Sequence, residues 1–215
     1  MFPLYKSGNR TEKLNYRPIS ILSVFSKILE KIIKEQLAQY LEANNILCQC
    51  QYGFRSGKNI SNALFNLNKD LNDSLSKNKK NLLIFLDIAK AFDSIDRRKL
   101  LQKLKLIGVT DNALNWFQSY LSNRQQFVEI LNVKGNNCSI EYGVVQGSTL
   151  GPLLFLIYVN NLSKVNISGK LYLFADDTAV HVEGDTWQQV YEKATNDLAI
   201  LKSWFDHNTL TLNIA

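Results

Sequence analysis

Five apolar residues in a row, Leu82-Leu83-Ile84-Phe85-Leu86, stop abruptly at a carboxylate, Asp87. A run of this length reads as a strand buried on both faces, so the fold must supply elements to cover it. Two helices are predicted ahead of it. From Ser23, the residues Phe25, Ile28, Leu29, Ile32, Ile33, Leu37, Tyr40 and Leu41 recur on one helical face, with Glu30 and Lys34 as an i,i+4 pair on the other. The second helix runs from about Ile60 to Leu75 through Ala63, Leu64, Leu67 and Leu71. Earlier still, Tyr16-Arg17-Pro18-Ile19 is predicted extended, because the residue before a proline avoids the helical region.

Beyond Asp87 the two periodicities keep alternating. Helices are predicted over Arg98–Ile107 and Asn112–Ser122, with Gly108 and Asp111 as stop and start signals. Gln126–Val133 and Cys138–Val144 read as a hairpin across Lys134-Gly135-Asn136-Asn137. The glycine-punctuated loop Gln146–Pro152 runs into an apolar helix, Leu153–Leu162. Strands Lys170–Phe174 and Thr178–Val182 flank Ala175-Asp176-Asp177. A last helix, capped by Asp185 or Thr186, would bury Val190, Leu198, Leu201 and Phe205, and Leu210–Ile214 reads as a final strand. Helices interleaved with strands argue for an α/β or α+β domain.

A content of 46 % hydrophobic and 20 % charged residues excludes a disordered or fibrous chain. The longest apolar run, Leu153–Val159, falls far short of the ~20 residues of a membrane helix, and no secretory pattern opens the chain. Three cysteines cannot build a disulfide framework, which points to a reducing intracellular compartment, nucleus or cytoplasm. Cys48 and Cys50 read as two small core or surface residues, and His181 and His207 as surface or satisfied core residues. Charge is unevenly spread. Residues 1–110 carry 19 basic and 9 acidic side chains, residues 111–215 carry 6 and 10. A basic half joined to an acidic half suggests polyanion binding on one side and cation binding on the other, although a solvated basic surface has the same signature.

Two features are odd for a purely structural protein: Asp87 at the end of an apolar strand, and Asp176-Asp177 between two apolar strands. Burying a carboxylate is costly without a cation or hydrogen bonds, and neighbouring carboxylates repel. A divalent metal removes both penalties and suits phosphoryl transfer. An Asp-Asp pair in a hairpin also makes an ordinary turn, and the residues alone leave both readings open.

Five blocks in order decide the family expectation. They are Asn15-Tyr16-Arg17-Pro18-Ile19-Ser20 with its helix Ser26-Lys27-Ile28-Leu29-Glu30-Lys31; Gln51-Tyr52-Gly53-Phe54-Arg55-Ser56-Gly57; Leu86-Asp87-Ile88-Ala89-Lys90-Ala91-Phe92-Asp93; Gly143–Pro152; and Phe174-Ala175-Asp176-Asp177-Thr178. In this set the chain resembles the reverse transcriptase of non-LTR (LINE-type, jockey-like) retrotransposons. Phe174 stands where that family more often has tyrosine. The resemblance implies an α+β fold, the fingers and palm of a right-handed polymerase. Residues 1–80 would form the fingers and 81–215 the palm, with no thumb.

It further implies that Asp87, Asp176 and Asp177 hold two Mg²⁺ ions, for which Mn²⁺ can substitute. Asp93 and Asp96 would cap a helix or bond locally. Phe92 would be an aromatic gate against a ribose 2′-OH; on its own it would read as a core aromatic. Gln146 and Gly147 would sit beside the incoming nucleotide, where Gly147 and Gly151 allow close backbone approach. Arg55 and Arg17 would meet the triphosphate, their alternative being a structural ion pair. Lys58 and Lys90 are candidates for backbone phosphates. The implied activity is Mg²⁺-dependent RNA-directed DNA polymerisation, with RNA template, DNA primer and dNTPs as partners and neither membrane nor protein partner evident. A non-catalytic nucleic-acid-binding remnant is the alternative, because the family's lysine beyond Leu212-Asn213 falls past Ala215; poor primer extension by residues 1–215 is expected. A metal phosphohydrolase would leave Phe92 and Gln146 without a purpose.

Overall fold

The computed structural model describes residues 1–130 and 132–213. Phe2–Tyr5 (β1) and Tyr16–Ile19 (β2) pair antiparallel, so the Pro18 segment is extended as predicted. Val24–Ala43 (α1) starts at Ser23, whose hydroxyl accepts from the Ser26 amide at 3.1 Å. Its apolar face is covered only towards the C-terminus: Leu37 and Leu41 are buried, whereas Phe25, Ile28, Leu29 and Ile32 are exposed. Glu30 does not serve the predicted pair with Lys34. It is 2 % exposed and accepts from the Tyr120 hydroxyl (2.8 Å) and the Thr149 amide (2.7 Å). Ile60–Ser76 (α2) opens with reciprocal bonds between Asn59 and Asn62.

Lys80–Leu86 (β3) is followed by Ile88–Ala89 (β4), Arg97–Leu106 (α3) and Asp111–Leu121 (α4). Asp96 caps α3, accepting from the Arg98 and Lys99 amides at 2.8 and 3.3 Å. Arg124–Gln126 (β5), Glu129–Ile130 (β6), Val133–Lys134 (β7) and Cys138–Ile140 (β8) make two nested pairs, β5 with β8 and β6 with β7. The inner reversal therefore lies ahead of the predicted Lys134–Asn137 turn, at a segment containing Leu131, which is outside the described residues. Gly151–Val159 (α5), continued by a 3₁₀ turn over Asn160–Lys164, is buried around its whole circumference. Lys170–Phe174 (β9), Asp177–Gly184 (β10), Trp187–His207 (α6) and Thr211–Leu212 (β11) complete the chain. Of the predicted last strand, Ile214 lies outside the described residues.

The main sheet is antiparallel in the order β3-β10-β9. On one face Val180 and Val182, with Leu82, Ile84 and Leu86, share a core with α5 and with Val190, Ala194, Leu201 and Phe205 of α6. On the other face lies α2, whose Asp70 accepts from Lys170 and Tyr172 of β9. As an edge strand, β3 is not buried on both faces: Phe85 is 73 % exposed. The last helix departs from prediction at Leu198, which is exposed. Neighbouring Asp197 is buried instead, accepting from the Ser168 and Gly169 amides at 2.8 and 2.7 Å. Among the described residues no helix is long and apolar enough to cross a membrane.

Candidate active site

The site begins with a strained turn. Phe174 pairs with Asp177, so Ala175 and Asp176 alone make the reversal between β9 and β10. Two-residue hairpins require φ > 0 at a central position, which favours glycine or asparagine. Ala175 takes that position at φ +56°. An L-residue there is strained by roughly 1–2 kcal/mol and needs support.

Gln51 supplies the support. It is 3 % exposed, its Oε1 accepts from the Ala175 amide (2.9 Å) and the Gly53 amide (2.8 Å), and its Nε2 donates to the Ala175 carbonyl (3.3 Å). On either side, the Leu173 amide donates to the Cys50 carbonyl and the Tyr52 amide to the Leu173 carbonyl, each at 2.8 Å. A Cβ on Gly53 would lie 2.3 Å from the Ala175 nitrogen, so only glycine lets this segment close on the turn. The Gln51-Tyr52-Gly53 block is therefore a clamp on the Ala175-Asp176 turn, a role its sequence alone did not reveal.

Strand register brings the carboxylates to one sheet end. Thr178 lies opposite Leu86, which sets Asp177 and Asp87 beside each other where β10 and β3 meet. The Asp177 carboxyl is held above its ordinary value by partial burial, then by the charges of Asp176 and Asp87. Asp87 and Asp177 are exposed and Asp176 half-buried, so the sequence argument from full burial does not hold here. The penalty is mutual repulsion at an open edge, and among the described residues no Lys or Arg pairs with these acids. One neutral partner is present. Asn213 donates its side-chain amide to Asp87 Oδ2 (2.6 Å) and its backbone amide to the Asp87 carbonyl (2.9 Å). The pairing of β11 with β4, Leu212 opposite Ile88, puts it there.

Among the described residues no group of three or more His, Cys, Asp or Glu side chains is placed so that it could hold a metal ion as it stands. An open edge of hard oxygen donors without a cationic partner has the donor chemistry that suits a hard divalent cation. Such ions are usually held by one or two carboxylates together with water and substrate phosphates.

The Gln146 loop is tied to the first sequence block. Ser20 donates its amide to the Gln146 carbonyl (2.8 Å), and buried Glu30 holds the Thr149 amide. Gly147 has φ +103°, and a Cβ there would meet the Ser20 carbonyl at 2.8 Å. Arg97 fixes the approach to the loop by donating to the carbonyls of Leu121, Ile140, Tyr142 and Gly143. Gln146 Oε1 is buried without a hydrogen-bond partner among the described residues. Phe92 is half-buried, its ring 5.0 Å from that of Phe155 and 6.4 Å from that of Phe54.

The arginines divide. Arg17 is exposed on β2. The structure places Arg55 elsewhere than expected: its Nε and Nη2 donate to Glu42 (2.9 and 2.6 Å) and its Nη1 to the Cys48 carbonyl (2.6 Å), with 4 % of the side chain exposed. It is a structural ion pair, because the carboxylate on α1 satisfies the fork that a phosphate would have used. Lys58 is likewise engaged, with Gln49.

A three-stranded antiparallel sheet that presents paired carboxylates at a hairpin, with helices on both faces, has the reverse transcriptase-like fold. Apo telomerase from Candida tropicalis matches it with a TM-score of 0.61, over 87 % of this chain and 36 % of that one, at 12 % identity. The reverse transcriptase (RNA-dependent DNA polymerase) family matches residues 6–215, and the chain belongs to that family. It is 31 % identical over 182 residues to the probable RNA-directed DNA polymerase from transposon X-element of Drosophila melanogaster, covering 82 % of this chain and 20 % of the relative. To the RNA-directed DNA polymerase from mobile element jockey of the same species it is 26 % identical over 218 residues, covering 98 % and 24 %. The chain thus spans about a fifth to a quarter of the length of these relatives.

Proposed function

We propose that this chain is the fingers and palm, residues 1–80 and 81–215, of a non-LTR retrotransposon RNA-directed DNA polymerase. It would extend a DNA primer with dNTPs on an RNA template. The observation that carries the reading is the gathering of Asp87, Asp176 and Asp177 at one sheet end, beside a turn clamped by the second sequence block.

Asp87, Asp176 and Asp177 would hold two Mg²⁺ ions, or Mn²⁺ in their place. Bound there, the ions supply charge neutralisation for the attacking and leaving oxygens of nucleotidyl transfer. The protein's own groups position the reactants. Asn213 fixes one Asp87 oxygen and leaves the other free. Gln51 fixes the backbone from which Asp176 projects. Gln146 would sit beside the incoming nucleotide, reaching it only if its amide oxygen, buried and without a partner among the described residues, turns outwards. Phe92, backed by Phe155, would exclude the extra hydroxyl of a ribonucleotide, and Arg17 is free to meet the triphosphate. The basic first half would follow the template and primer backbones.

The test is dTTP incorporation on poly(rA)/oligo(dT) with Mg²⁺. Residues 1–215 alone should extend the primer poorly, and template-dependent extension is expected of the chain extended through the downstream reading frame. A folded chain that binds the hybrid and adds no nucleotide, even when extended through the downstream reading frame, contradicts the reading.

A further inference from the structure

Cys48 and Cys50 lie outside the carboxylate site, and polymerisation does not use them. Their Sγ atoms are 3.0 Å apart and both residues are half-buried, whereas Cys138 is exposed on β8. The backbone around the pair is held on several sides. The Cys48 amide donates to Asn160 Oδ1 (2.8 Å) and its carbonyl accepts from Arg55 Nη1 (2.6 Å). The Cys50 carbonyl accepts from the Leu173 amide (2.8 Å). Lys58 donates to the carbonyl of Gln49, the single residue between them, at 2.6 Å, which sets one cation beside the thiols. A disulfide needs the sulfurs at about 2.05 Å, within roughly one ångström of where they stand.

We propose that Cys48 and Cys50 form a redox-active dithiol that a hydroperoxide converts to an intrachain disulfide. The Cys48 thiolate attacks a peroxide oxygen. The O–O bond breaks, the departing hydroxide is protonated to water, and Cys48 becomes a sulfenic acid. The Cys50 sulfur then attacks the Cys48 sulfur. The S–O bond breaks, and the hydroxide leaves as a second water with the Cys50 proton. Two thiols have lost two electrons and two protons, and hydrogen peroxide has become two waters.

The order of the thiols follows from their surroundings. Cys48 is drawn down, chiefly by the hydrogen bond it shares with Cys50, then by Ser163 and the Gln51 and Cys50 backbone amides. Cys50 is pushed up, first by that same hydrogen bond and then by burial. Cys48 is therefore the attacking thiolate and Cys50 the resolving thiol.

The test treats the 215-residue chain, reduced and folded, with a small excess of hydrogen peroxide, then alkylates, digests with trypsin and weighs the peptides. Peptide Glu35–Arg55, which holds both cysteines, should lose about 2 Da and resist alkylation until a thiol reductant is added. Cys138, in Gly135–Lys164, should still alkylate. In Cys50→Ser, a sulfenic acid trapped by dimedone should appear on Cys48. In Cys48→Ser, oxidation of Cys50 should be at least about 10-fold slower. Sulfinic or sulfonic acid on Cys48 of the unsubstituted chain, or disulfides formed only between chains, would overturn the proposal. These readouts do not depend on polymerase activity.

Discussion

Replacing Gln51 by leucine should loosen the Ala175-Asp176 turn, and the structure sets the size of the effect. Leucine nearly conserves volume at a site 3 % exposed, so the change is mainly the loss of one acceptor and one donor. Two buried amides, those of Ala175 and Gly53, then lose the oxygen they share at 2.9 and 2.8 Å. An orphaned buried N–H costs roughly 1–3 kcal/mol, so losing the oxygen that two amides share should cost about 2–6 kcal/mol. For a domain of this size that is a fall in Tm of roughly 4–24 °C. Gln51→Glu keeps an acceptor for both amides but loses the donor to the Ala175 carbonyl and adds a buried charge near Asp176. It should therefore keep the turn closed yet still destabilise. Urea unfolding gives the free energy, and amide hydrogen exchange at Ala175 locates it. A loss below about 0.5 kcal/mol with unchanged exchange at Ala175 would refute the clamp.

Three further outcomes are expected. The raised Asp177 carboxyl favours the protonated acid in the folded state, so this group helps most below about pH 4 and its contribution is lost as pH rises through the raised value. Asp177→Asn should gain stability relative to the parent between pH 4 and pH 7 without divalent metal, read by thermal unfolding; a relative loss across that window would contradict the repulsion argument. Tyr120→Phe removes the hydroxyl that donates to buried Glu30 and should cost about 1.5–3 kcal/mol in urea unfolding, and no measurable cost would mean that Glu30 finds another donor. Phe92→Val should lower the dNTP over rNTP preference in primer extension by ~1–3 kcal/mol, and an unchanged ratio with surviving activity would show that Phe92 is not the gate.

The parts of the fold that follow from local periodicity were legible in the sequence. The helix over Ile60–Ser76, the fully apolar α5 and the strands around Ala175-Asp176 appear where their patterns put them. The errors share one cause: a pattern along the chain does not say what lies across from it. Phe85 looked buried because an apolar run cannot distinguish an edge strand from a central one. Leu198 was expected inside because the two amides that draw Asp197 inwards belong to a loop some thirty residues earlier. Glu30 looked like half of a surface pair, although its partners are 90 and 119 residues away. Arg55 carries a fork that suits phosphate and carboxylate equally, and only the position of Glu42 decides between them. For Gln51 and Asn213 the signals were faint: a glycine two residues after a glutamine, an alanine where a tight turn prefers glycine, and an Asn after a short β-pattern.

The central claim is that Asp176, carried on the clamped turn, is part of a carboxylate cluster whose job is nucleotidyl transfer rather than folding. Asp176→Asn tests it most directly, in two readings on one protein extended through the downstream reading frame. Template-dependent dTTP incorporation with Mg²⁺ should fall below detection. Without metal, Tm should hold or rise, because one of the charges that raise the Asp177 carboxyl is gone. A variant that keeps its incorporation rate, or one that loses incorporation only because it is clearly less stable without metal, would contradict the account.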